Sequence, residues 1–98
     1  MSYQILLKPL AELDINESYT WYNEERECLG DDFLSELEKS QELIREKPYH
    51  YQVRYKEVRM VQVKRFSFCL HYTIEGETII VHAVLSTDRN PRIWKKRS

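Results

Sequence analysis

The spacing of apolar residues changes once along this chain, near residue 52. Ahead of that point they recur three or four positions apart, as in a helix that buries one face; beyond it they alternate, as in strands. The stretch YQILLK (3–8) reads as a short apolar strand, and Pro9 then suits a first helical turn, where its missing N–H is no loss. A first helix is expected from there to about residue 28, with Ala11, Ile15, Tyr19 and Tyr22 on one face and Gly30 as its stop. The segment GDDFLSELEKSQELIREKP predicts a second helix, capped by Asp31 or Asp32 and buried along Phe33, Leu37, Ser40 and Ile44. Lys47 favours its C-terminal end and Pro48 closes it. With one Gly and two Asp between them, the helices form an antiparallel hairpin.

Three strands follow: VRMVQVKRF (58–66), FCLHYTI (68–74) and TIIVHAVL (78–85). The last two meet at Glu75-Gly76, where glycine supplies the positive φ of a tight turn. A two-residue loop puts Phe68, Leu70, Tyr72 and Ile74 on one face with Ile79, Val81, Ala83 and Leu85, and that face is the expected core. The other carries Cys69, His71 and Thr73 beside Thr78, Ile80, His82 and Val84, too mixed to be fully solvated. In this register His71 faces Ile80 and His82 faces Cys69. An N-terminal strand, an antiparallel helical hairpin and an antiparallel β-meander define an α+β fold. No repeat or linker interrupts it, so residues 1–98 read as a single domain.

Composition narrows the class. The chain is 42% hydrophobic with only two glycines, which suits a packed globule, and 32% of its residues are charged. A domain of this size does not enclose a deep cofactor cavity alone, so no cofactor is expected and function is sought on the surface. No apolar run is long enough to span a bilayer, and MSYQILLKPL lacks a signal peptide's basic start; a cytoplasmic protein without membrane partners is expected. Cys28 and Cys69, outside any CxxC or ligand spacing, fit two free thiols in a reducing compartment.

Charge is segregated along the chain. Residues 1–51 hold five basic residues against twelve acids, a net −7; residues 52–98 hold ten against four, a net +6. Such a molecule repels polyanions at one end and attracts them, or an acidic protein, at the other. Arg89, Arg92, Lys95, Lys96 and Arg97 surround Trp94 in the tail, which either closes the fold through a turn at Asn90-Pro91 or forms a target-binding rim anchored by Trp94. Lys64 and Arg65 sit near a hairpin tip, for solubility or for the same target. Arg59 is expected either in a structural ion pair with the helical hairpin, with Asp14 as the candidate partner, or in a binding site. Tyr49, Tyr51 and Tyr55, with Arg54 and Lys56 among them, either seal the joint between helix and sheet or stack on bases. The histidines lack neighbours at ligand spacing, so no metal is expected.

The order LDINESYTWY, then LGDDFLSELEKSQELIREKPYHY, then VRMVQVKRFSFCLHYTIEGETIIVHAVLSTDRNPRIWKKR resembles the ParE/RelE superfamily of bacterial toxins over nearly the whole chain. It is closest in character to the ParE-like branch, often labelled plasmid stabilisation proteins. The resemblance rests on Asp14, Pro48, Arg59, Phe66 and Phe68 ahead of Tyr72, and Arg89-Asn90-Pro91 before Trp94. It implies the RelE/ParE-like fold and a type II toxin neutralised by a cognate antitoxin whose C-terminal segment wraps around it. Tyr19, Tyr22, Phe33, Leu37 and Ile80 are the expected antitoxin-binding residues, and a homodimer or a toxin–antitoxin hetero-oligomer is compatible with the family.

RelE-like members cleave mRNA on the ribosome with strand lysines and an arginine, plus an arginine and a tyrosine near the C-terminus. A base must activate the ribose 2′-OH, and cations must neutralise the phosphate. Aligned by FCLHY, the lysine positions fall at Met60 and Gln62 and the strand arginine at Cys69; a small slip brings in Arg59 or Lys64. Only Arg89 matches, as the catalytic candidate of that reading, with Trp94 near the place of the tyrosine. The resemblance thus favours a ParE-like toxin that inhibits DNA gyrase by binding. A RelE-like endonuclease with ribosome and mRNA as partners, or an inactive antitoxin-binding module, are the alternatives.

Overall fold

A computed structural model of the chain describes residues 3–87. The elements are β1 (Gln4–Leu7), α1 (Pro9–Glu25), α2 (Leu29–Glu46), β2 (Val53–Tyr55), β3 (Val58–Val63), β4 (Phe68–Glu75) and β5 (Thr78–Ser86). They build the expected α+β arrangement, with one sheet in the order β1-β5-β4-β3-β2. β2 to β5 form the antiparallel meander, and β1 closes it by lying parallel to β5, from Gln4 opposite Thr78 to Leu7 opposite Val81.

Pro9 opens α1 as its φ dictates. The helix ends at Glu25, where the Arg26 N–H donates to the Tyr22 carbonyl, so it stops short of residue 28 and Gly30 is not its stop. Gly30 instead lies in the first turn of α2, pressed against α1. A Cβ there would sit 2.6 Å from the Tyr19 carbonyl oxygen and 2.8 Å from the Asn23 side chain, whose Oδ1 accepts the Gly30 N–H at 2.7 Å. Cys28, with φ of 65°, holds the N-cap position expected of Asp31 or Asp32. Those two acids fall in the first turn, where they complement the positive end of the helix dipole. Asp31 also accepts the Tyr19 hydroxyl at 3.2 Å, and Asp32 pairs with Arg26 at 3.6 Å.

The β4–β5 turn falls one residue later than expected: Glu75 pairs with Thr78, leaving Gly76 (φ 61°) and Glu77 as the loop. Pairing runs through Ile74–Ile79 and Tyr72–Val81, then shifts to His71–Ala83, Leu70–Val84 and Cys69–Leu85. The extra residue, His82, makes a bulge, and one extra residue exchanges the faces of all that follow. Val84 therefore continues the helix-facing core of Ile79 and Val81, while Ala83 and Leu85 cross to the second face with Cys69 and His71. That face is not open to water, since Val58, His71, Ala83 and Leu85 are all buried.

The core is a single cluster in which Ala11, Phe33, Leu37 and Ile44 of the helices meet Val61, Val63, Leu70, Tyr72, Ile79 and Val81 of the sheet. Phe66 folds back from the β3–β4 loop to join it, its ring 4.9 Å from Tyr22 and 5.3 Å from Phe33.

Candidate functional site

Helix α1 is apolar on two sides. Ala11 and Ser18 face the sheet, while Leu10, Leu13 and Trp21, with Glu17 among them, line a neighbouring flank, and about half of each of the three apolar side chains is exposed. Their spacing of three and eight positions is itself helical, and it was legible as a second stripe that the core assignment passed over. A groove of about 510 Å³ runs between this flank and the end of β5, lined among others by Asp14, Glu17, Trp21, Tyr22, Phe68 and Leu85. It exists because β1 covers only the first half of β5, so the strand edge beyond Val81 has no neighbouring strand among the described residues. Asp14 Oδ2 meets that edge, accepting the Val84 N–H at 3.0 Å.

The residues expected to bind an antitoxin do not share one surface. Phe33 is fully buried and Leu37 nearly so, both facing the sheet; their helical stripe is the core stripe, and they are corrected here to core residues. Tyr19 and Tyr22 are half-buried on α1, and burial among Phe33, Phe66 and Phe68 pushes the Tyr22 hydroxyl pKa up. Ile80 lies half-buried opposite the exposed Leu6, on the second sheet face.

The expected ion pair between Arg59 and Asp14 is not formed. Arg59, on β3, donates to the carbonyls of Tyr51 at 2.5 Å and Tyr49 at 3.4 Å, with its guanidinium 5.1 Å from the centre of the Tyr49 ring. Backbone acceptors released at the end of α2 thus replace a carboxylate, and Asp14 is engaged at β5 instead. Beside Arg59, the Tyr72 hydroxyl donates to the Pro48 carbonyl at 2.7 Å; burial pushes its pKa up to about 12, opposed by the Arg59 charge. Tyr51 joins the rim of the core at the joint between α2 and the sheet, whereas Tyr49 is exposed and Tyr55 meets His71.

At the β3–β4 loop, Arg65 lies 3.6 Å from Glu36, a mostly buried carboxylate of α2 that also meets Lys39 at 3.5 Å. Lys64 is exposed next to it. Arg89, Arg92, Trp94, Lys95, Lys96 and Arg97 lie outside the described residues.

The positions that the resemblance aligned with strand cations, Met60, Gln62 and Cys69, are neutral and lie together: Met60 pairs with His71, and Gln62 with Cys69. Burial raises the Cys69 thiol pKa, with the Arg54 charge opposing. His71 is fully buried and its Nδ1 lies 2.9 Å from the Tyr55 hydroxyl. His82 Nε2 lies 2.8 Å from Thr73 Oγ1; burial first and Lys8 second hold its pKa below the usual histidine value, with Glu75 opposing. Among the described residues no group of His, Cys, Asp and Glu could hold a metal ion, and no helix is long and apolar enough to cross a membrane.

A family model described as the ParE toxin of the type II toxin–antitoxin system, parDE, matches residues 5–91. Comparison with curated proteins finds no match. Among solved structures the chain is similar to one from the chromosomal ParDE toxin–antitoxin system of P. aeruginosa, with a TM-score of 0.76, 12% identity, and coverage of 86% of this chain and 95% of that one. At that identity the likeness is one of fold. The family match spans nearly the whole chain, which therefore belongs to the ParE toxin family of type II toxin–antitoxin systems.

Proposed function

We propose that this chain acts in the cytoplasm as a toxin that inhibits DNA gyrase by binding it, and that a cognate antitoxin holds it silent. The observation that carries the choice of a binder is the second sheet face. Met60, Gln62 and Cys69 occupy the aligned places of phosphate-neutralising cations, and the nearby imidazole of His71 is fully buried and engaged with Tyr55. A developing phosphorane charge needs preorganised positive donors, and those three side chains supply none.

The exposed apolar flank of Leu10, Leu13 and Trp21, with Tyr22 edge-on to Trp21, is the proposed antitoxin surface, to which Tyr19 on the α2-facing side of α1 and Ile80 on the second sheet face are proposed to add separate contacts. An amphipathic helix laid on such a flank reads it through anchors at helical spacing. Lys64, Arg65 and the basic tail with Arg89, Arg92 and Trp94 are the proposed target contacts.

The test is induced expression in a bacterial host, followed by gyrase supercoiling and mRNA integrity in the arrested cells. Lost supercoiling with intact mRNA is the expected result. Codon-positioned mRNA cuts with normal supercoiling would overturn it in favour of a ribosome-dependent endonuclease, and an absence of arrest would leave only an antitoxin-binding module.

A further inference from the structure

We propose, resting on the reading of the Leu10, Leu13 and Trp21 flank as the antitoxin surface, that the helix seated there carries two Lys or Arg residues seven positions apart, for which Glu17 and Glu24 select. Leu10, Glu17 and Glu24 recur every seven residues along α1, with Leu13 and Thr20 three positions after the first two. That is the repeat along which one helix packs against another. At about 3.6 residues per turn, Glu17 falls around the helix axis between Leu13 and Trp21, and Glu24 between Leu13 and Leu10. Both acids therefore stand inside the apolar stripe rather than beside it. Glu17, Trp21 and Glu24 also line one shallow hollow, together with Asn16 and Thr20.

Among the described residues neither carboxylate meets a cation. Both are exposed, α1 carries neither Lys nor Arg, and Arg26, just past its end, lies 3.6 Å from Asp32 instead. A second copy of the chain laid along the same flank would bring no cation to it in either direction. A wholly apolar partner helix would strip water from two carboxylates and return no partner. A helix with Lys or Arg one heptad apart, about 10.5 Å along its axis, meets both. The stems of those side chains lie along Leu13 and Trp21 while their charges reach Glu17 and Glu24, and a cation over the indole face adds a cation–π contact. Leu10 and Leu13 then supply apolar contact at one end of the flank, and the two acids fix the register and the choice of partner at the other.

The test is a displayed library of helical peptides with a leucine seam in which two seam positions, seven residues apart, are randomised. It is selected against the full chain, against Glu17→Lys/Glu24→Lys and against Leu10→Ala/Leu13→Ala. All four positions are exposed, and amide spectra check the fold of each variant. Against the native chain, Lys and Arg should be enriched at both randomised positions by about tenfold or more over Asp and Glu. Against Glu17→Lys/Glu24→Lys the preference should reverse, and Leu10→Ala/Leu13→Ala should lose the selected peptides.

The same residues enriched against the native and the charge-reversed chain, with binding still lost in the leucine variant, would overturn the proposal and leave the flank as a helix seat. Peptides that bind the leucine variant undiminished, or no selected peptide at all, would overturn it together with the antitoxin reading of the flank.

Discussion

Phe33 separates a packing role from a binding role on α2. Fully buried against Tyr22, Phe66 and Phe68, it should cost about 3–5 kcal/mol when truncated as Phe33→Ala, read as a lowered denaturant midpoint. Leu13→Ala, on the exposed flank, should change stability by no more than about 0.5 kcal/mol and weaken antitoxin binding instead. His82 adds a pH dependence. Its folded-state pKa is depressed, so below the ordinary value near 6.5 the unfolded chain takes up a proton that the native chain refuses. Its contribution to stability is thus complete above that value and lost as pH falls through the folded pKa. Denaturation midpoints should drop between neutral and mildly acidic pH, and His82→Gln should flatten the drop. At this scale the sequence was a partial guide. It displayed the charges of Arg59 and Asp14 but not the backbone groups they meet, because carbonyls beyond the end of α2 and an N–H of β5 carry no mark in a pattern of side chains.

Elements were more legible than residues, for a physical reason. Helical and strand periodicities report which side is buried over many positions at once, so both helices, β1 and the three long strands stand where their apolar spacing put them. What shifted were junctions. The two-residue turn moved by one position, and a single inserted residue at His82 exchanged Ala83 and Leu85 for Val84 on the core side. Gly30 misled because glycine between two helical patterns usually marks a stop; here its missing Cβ allows α2 to touch α1. Substitution by alanine tests this directly. In an open helix Gly→Ala gains up to about 1 kcal/mol, whereas Gly30→Ala, forced against the Tyr19 carbonyl, should destabilise by about 1–3 kcal/mol, measured by equilibrium unfolding.

Along the whole chain the dominant charge feature is its segregation, an acidic helical half followed by basic residues concentrated in the second half of the sequence. If gyrase is met through the basic end, association should be steered by long-range attraction. The association rate of free toxin with purified gyrase should then fall several-fold between about 0.05 and 0.3 M salt, as screening shortens the range of the field. A salt-independent rate in stopped-flow mixing would argue for an uncharged contact surface. The candidate tail was visible in sequence as a cluster of like charge, whereas the groove beside α1 was not, because it depends on β1 being shorter than its partner β5.

The parallel pairing of β1 with β5 also bears on how the toxin is made. A chain emerges from the ribosome N-terminus first, yet Gln4 must wait for Thr78, and Leu7 for Val81, before β1 has a neighbour. Phe33, Leu37 and Ile44 likewise wait for the strands they cover. The nascent chain thus spends most of its synthesis without a completed sheet, and its folded surface is assembled only when nearly all of it has been translated.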